Sequence, residues 1–250
     1  MKKQLKIVYL LNSGLILQSE KTKLMIDGLI EDHTIVDKMT PDRKEEQIEG
    51  RGIFSAIDAL LFTHFHGDHF SAYRIREYLQ THSSVKMVLP AGKEAEPWSG
   101  MRQTMIMETS PFQSKQITIG DFEIEFFKTG HVSEELVGGG EHTVFLIRGC
   151  GRCIAVTADF NLKKINALEK KCREADTIFC NPLVLGTEET RAMLKRLHTA
   201  RFFIYHIPII SEDRYGYRKI AVQNYRKYQR ELEGCSLLLE HYIEVPYSQK

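Results

Sequence analysis

Between Ile57 and Phe70 the chain reads Ile-Asp-Ala-Leu-Leu-Phe-Thr-His-Phe-His-Gly-Asp-His-Phe. The mostly apolar run from Ile57 to Thr63 is what a strand buried on both faces requires. Directly after it, four side chains able to bind a metal ion, His64, His66, Asp68 and His69, fall within six residues. His64 and His66 are two apart, so in extended backbone both imidazoles project to one side. Gly67 allows a sharp bend, after which Asp68 and His69 can point back at a neighbouring position. Imidazole and carboxylate donors suit zinc, and iron or manganese accept the same set. Such a chain is expected to form a buried strand whose end opens onto a metal-binding edge.

The order His-x-His-x-Asp-His after an apolar strand resembles the signature of the metallo-β-lactamase superfamily, and the likeness extends along the whole chain. The resemblance implies an α+β fold, an αββα four-layer sandwich with two mixed β-sheets face to face and helices outside. It also implies three more ligands at the ends of later strands. His131 closes Lys128-Thr129-Gly130-His131, Asp159 closes Ala155-Val156-Thr157-Ala158-Asp159, and His206 closes Phe202-Phe203-Ile204-Tyr205-His206. By that pattern His64, His66 and His131 hold one divalent ion, Asp68, His69 and His206 hold a second, and Asp159 bridges them. Two contexts depart from well-known branches: His131 is followed by Val-Ser-Glu, and His206 lies between Tyr205 and Ile207-Pro208.

The remaining pattern is read from the residues. Strands are predicted at Lys6–Leu11, Leu15–Ser19, Lys23–Ile26, Lys86–Leu89 and 143–148, among others. Phe122–Phe127 alternates Phe122, Ile124 and Phe126 with Glu123 and Glu125, so one face is wet. Helices are predicted at 70–82, 161–173, 187–197 and 217–232, with the final strand at 236–240. Hairpins early and strand–helix alternation late fit two packed sheets. Residues 31–56, charged and holding Pro41, Gly50 and Gly52, read as a surface excursion. No linker or repeat interrupts the pattern, so residues 1–250 are expected to form a single domain.

Composition narrows the partners. The formal charge is +1, from 34 basic and 33 acidic residues. That balance lacks the basic footprint of a protein that grips long nucleic acid, and a small-molecule substrate is expected instead. No stretch approaches the roughly 18 apolar residues of a membrane span. Five cysteines without a dense framework read as reduced thiols in a cytoplasmic protein. Cys150-Gly-Arg-Cys153 has no second CxxC to complete a zinc site and reads as a hairpin turn. Oligomeric state is not encoded in any of these features.

As the resemblance implies, the function is that of a binuclear hydrolase in which a metal-bridging hydroxide attacks a phosphodiester, lactone or other small ester. Asp159 sets the spacing of the metals, and Asp68 helps orient the nucleophile and shuttle its proton. An RNA-processing nuclease of the same superfamily and a non-catalytic metal-binding module are the alternatives. His142, after Gly138-Gly139-Gly140-Glu141, is a candidate substrate contact; the plainer reading is an ordinary polar residue that starts a strand. Arg214 and Arg218 are candidate phosphate clamps, since guanidinium forks suit phosphate; the plainer reading is the solvated start of a helix. His241 is the rival of His206 for the last ligand position. His33, His82 and His198 are read as solvated.

Overall fold

A computed structural model describes residues 4–31, 37–132, 142–197 and 201–246. Chain order begins with β1 (Lys6–Tyr9), β2 (Leu15–Gln18), β3 (Lys23–Ile26), β4 (Ala59–Leu61), β5 (Lys86–Pro90) and β6 (Thr104–Met107). It continues with β7 (Lys115–Ile119), β8 (Phe122–Lys128), β9 (Thr143–Gly149), β10 (Arg152–Val156), β11 (Thr177–Cys180), β12 (Arg201–Ile204), β13 (Cys235–Leu237) and β14 (Ile243–Glu244). These strands make two seven-stranded sheets, ordered β14-β1-β2-β3-β4-β5-β6 and β13-β12-β11-β10-β9-β8-β7.

Alternation along each strand builds four layers. In β1, Ile7 and Tyr9 enter the core between the sheets, where they meet Phe122, Phe145 and Phe203. Val8 turns the other way, with Ile16, Met25 and Leu60, against Ile75 and Leu79 of helix Ala72–Thr81. The second sheet sends Val144, Ala155, Ile178 and Phe202 outward to Leu168, Met193 and Ala221. Those three lie on helices Ile165–Lys171, Glu188–Arg196 and Tyr217–Tyr228. Strands buried on both faces therefore read as continuous apolar runs. The result is the αββα sandwich.

The topology differs from the early-hairpin, late-alternation pattern. Each sheet begins antiparallel and continues parallel: β1–β3 and then β4–β6, β7–β10 and then β11–β13. Two strands escaped the sequence reading. Thr104–Met107 has only one buried residue, so it lacks an apolar run. Ile243–Glu244 is two residues long and pairs with Val8 and Tyr9 of β1. The 31–56 excursion contains helix Pro41–Ile48, opened by proline in its first turn. Cys150-Gly151 forms the β9–β10 turn with φ of +54° and +73°, and all five cysteines are free thiols. Among the described residues no helix is long and apolar enough to cross a membrane.

Candidate metal centre

The strands that carry the candidate ligands end at one edge of the sandwich. Thr63 to His69 follow β4, His131 follows β8, Asp159 follows β10 and His206 follows β12. Backbone bonds lock these loops together. Thr143 N donates to Thr63 O at 2.8 Å, joining the two sheets at the floor of the site. Val132 N donates to Asp159 O at 2.8 Å and Asn161 N to Gly130 O at 3.0 Å, fixing His131 beside Asp159. Asp27, Ala158 and His206 adopt φ of +47°, +40° and +59°. Such left-handed geometry in non-glycine residues is strained, and it persists only where surrounding contacts over-determine it.

The seven residues fall into two donor groups. One ligand atom each from His64, His66 and His131 lies within 4.8 Å of the others, and the same holds for Asp68, His69, Asp159 and His206. One oxygen stands between the groups: Asp159 Oδ2 is 3.4 Å from His69 Nε2, 3.5 Å from His131 Nε2, 3.6 Å from His206 Nε2 and 3.9 Å from His64 Nε2. Its other oxygen accepts a hydrogen bond from the Asn181 amide, which sets the carboxylate plane. His69 Nε2 and His206 Nε2 are 3.1 Å apart, and Asp68 Oδ2 is 3.2 Å from His206 Nε2. His66 is the exposed member, at the mouth.

The donors fit divalent cations. His64 Nε2 is buried and has no hydrogen-bond partner among the described residues. An orphaned buried lone pair is costly unless something else engages it. Burial, with His69 next, pushes the His64 imidazole well below its usual range, so it is a neutral donor. On the other side, burial opposes the ionisation of Asp68 and Asp159, yet neighbouring imidazoles prevail. Asp68 is held down at about 2 and Asp159 well below the usual carboxylate range. Burial likewise opposes charge on His206, but Asp159 and Asp68 raise it to about 9. This side of the site demands positive charge.

Solved structures that share the shape over nearly the whole chain include the following three. A possible metal-dependent hydrolase from Veillonella parvula aligns with TM-score 0.72 and 13% identity, covering 97% of this chain and 99% of that one. YhfI from Bacillus subtilis, a metallo-β-lactamase fold protein, aligns with TM-score 0.61 and 16% identity, covering 97% and 99%. The chain has the metallo-β-lactamase fold. CmlA, a diiron β-hydroxylase from Streptomyces venezuelae, aligns with TM-score 0.64 and 13% identity, covering 97% of this chain and 54% of that one. No family model matches the sequence, and no curated protein matches it.

Within this metallo-β-lactamase fold, sequence reasoning missed the residues that orient the ligands. Asp27, at the end of β3, is fully buried. It accepts Thr63 N at 2.8 Å, Thr63 Oγ1 at 2.6 Å and His69 Nδ1 at 2.9 Å. Ser13 Oγ, from the β1–β2 turn, lies 2.8 Å from the same His69 nitrogen. A carboxylate on Nδ1 fixes the ring so that Nε2 faces the site. Asp27-Gly28 reads as an ordinary turn, and only the parallel β3–β4 pairing reveals its reach.

The weaker candidates separate. His142 is fully buried, with Nδ1 2.8 Å from Thr129 Oγ1 and its ring 5.3 Å from that of His64. It stands against the three-histidine group without joining it. The glycines before it, 138–140, and also His33 and His198, lie outside the described residues. Arg218 donates to Pro208 O at 3.0 Å and Leu239 O at 2.9 Å, so its guanidinium ties the helix Tyr217–Tyr228 to the loops that follow β12 and β13. Arg214 has 64% of its side chain exposed and sits 3.6 Å from Glu212. His241 stays out of both donor groups. His82 contacts Ile48 O at 2.9 Å and the Tyr78 ring, so it is not simply solvated.

Proposed function

We propose that this chain is a metal-dependent hydrolase that uses two divalent ions to cleave a small ester-type substrate: a phosphodiester, a lactone or another ester. The observation that carries the reading is Asp159 Oδ2, placed 3.4 to 3.9 Å from imidazole nitrogens of both donor groups. In this reading His64, His66 and His131 hold one ion, Asp68, His69 and His206 hold the other, and Asp159 serves both. The two ions supply Lewis acidity and a water-derived nucleophile at neutral pH. The chain's residues fix geometry. Asp27 and Ser13 hold the His69 ring, Asn181 holds Asp159, and Thr63 Oγ1, 3.0 Å from His64 Nδ1, holds the His64 ring. Asp68, ionised throughout the neutral range, serves as ligand and hydrogen-bond acceptor for the nucleophile.

The donor set of imidazoles and carboxylates supports zinc first, with iron and manganese accepted by the same atoms. Arg218 is bound to backbone carbonyls, so its guanidinium is not held ready as a phosphate clamp. The test is elemental analysis of protein purified without chelators, followed by turnover of nitrophenyl phosphodiesters, lactones, thioesters and short RNA. About two equivalents of metal and turnover of one small-ester class are expected. A single bound ion, or cleavage of RNA alone, overturns the reading.

A further inference from the structure

Asp37 and His241 have side chains 0% and 5% exposed, yet belong to neither donor group. Asp37 accepts the Ile209 amide on both oxygens, at 2.9 and 3.0 Å. His241 Nε2 lies 3.3 Å from Asp37 Oδ2 and 3.2 Å from Ile207 O. Asn12 grips the Asp37 backbone from both sides: its Nδ2 donates to Asp37 O and its Oδ1 accepts Asp37 N, each at 3.1 Å. Tyr9 completes the enclosure, with its ring edge-on to His241 at 5.2 Å and its hydroxyl donating to Asn12 O at 2.8 Å.

Three segments far apart in sequence thus converge on residues 207–209, the stretch that leaves His206. His206 itself has φ of +59°, a backbone state that must be held from outside. Burial pushes the Asp37 carboxyl up to about 6, so a carboxylate here carries a desolvation cost. An apolar side chain would fill the space without that cost, but it could not hold the Ile209 amide.

We propose that Asp37 and His241 are positioning residues for His206, setting the metal affinity of the Asp68/His69/Asp159/His206 side without touching ion or substrate. The inference rests on the two-ion reading above. Zinc is titrated into the metal-free full chain against a chromophoric chelator, so that the two stepwise constants are resolved. Wild type is compared with Asp37→Ala, Asp37→Asn and His241→Phe, and each metal-free chain is also melted. Asp37→Ala and His241→Phe are expected to weaken the second ion about tenfold or more and leave the first unchanged. Asp37→Asn, which keeps one oxygen for the Ile209 amide, should recover part of the loss.

Equal weakening of both ions, tracking a lower melting temperature, would mean a merely structural role and overturn the proposal. So would an unchanged second constant. If Asp37→Ala does not fold, His241→Phe, which keeps a ring against Tyr9, decides alone. A wild-type curve with only one ion overturns the two-ion reading and this proposal with it. The wild-type curve therefore tells the two failures apart.

Discussion

His64 and His206 face the same Asp159 oxygen, at 3.9 and 3.6 Å, yet their environments drive them in opposite directions. Burial wins at His64, whose neighbours are mostly other imidazoles, and keeps it neutral. At His206 the carboxylates Asp159 and Asp68 win against burial and hold a proton up to about 9. Dryness is common to both, so the number of carboxylates is what separates them. One side of the centre presents bare lone pairs, and the other is an acidic cage whose carboxylates favour a proton on the His69–His206 pair, the two Nε2 atoms of which lie 3.1 Å apart.

The severest break in this comparison is Asp159→Ala, since Asp159 belongs to both sides. It is expected to remove paired metal binding and cut hydrolysis by roughly a thousandfold or more, with the circular dichroism of a folded chain retained. Near-wild-type turnover would show that the bridging role is misassigned.

A smaller and one-sided effect is expected from Asp27→Asn. Three donors point at the Asp27 oxygens, and an amide nitrogen cannot accept any of them. The zinc constant of the acidic side should fall roughly 10–100-fold while the three-histidine side holds. Loss at both sides equally would mean that Asp27 supports the floor of the whole centre.

The subtlest test is pH. The His69–His206 pair favours a proton between its Nε2 atoms in the metal-free chain, because the neighbouring carboxylates raise both imidazoles above the ordinary range. Binding at Nε2 must displace that proton, so affinity on the acidic side should strengthen as pH rises and level off near pH 9. His64 and His66 are already neutral, so the other side should be flat there. Calorimetry in buffers of different ionisation enthalpy counts the protons released per ion. Equal release at both steps would erase the distinction drawn here.

Much of this centre is legible in the sequence. His64, His66, Asp68 and His69 fall within six residues, and a run of donors after an apolar strand suits little besides a metal centre. His131, Asp159 and His206 are expected only through the resemblance, which implies a ligand at the end of each of three later strands. Asp27 and Ser13 were hidden by their chemistry: an Asp-Gly and an Asn-Ser-Gly sequence are also what ordinary turns contain. β6 was hidden because it is largely unburied and so carries no apolar run. Arg218 looked like a phosphate clamp, since sequence does not reveal that Pro208 and Leu239 carbonyls lie within its reach.

The pairing of β14 with β1 has a consequence for how the molecule comes into being. Val8 meets Glu244 and Tyr9 meets Ile243, so β1 gains its outer neighbour only after the strands of both sheets that lie between them in sequence have been made. His69 and His206 are likewise 137 residues apart in sequence. Contacts at such separation close slowly. Until β14 is made that edge of the first sheet has no strand to pair with, and the acidic cage cannot close before the second sheet, which carries His206, docks.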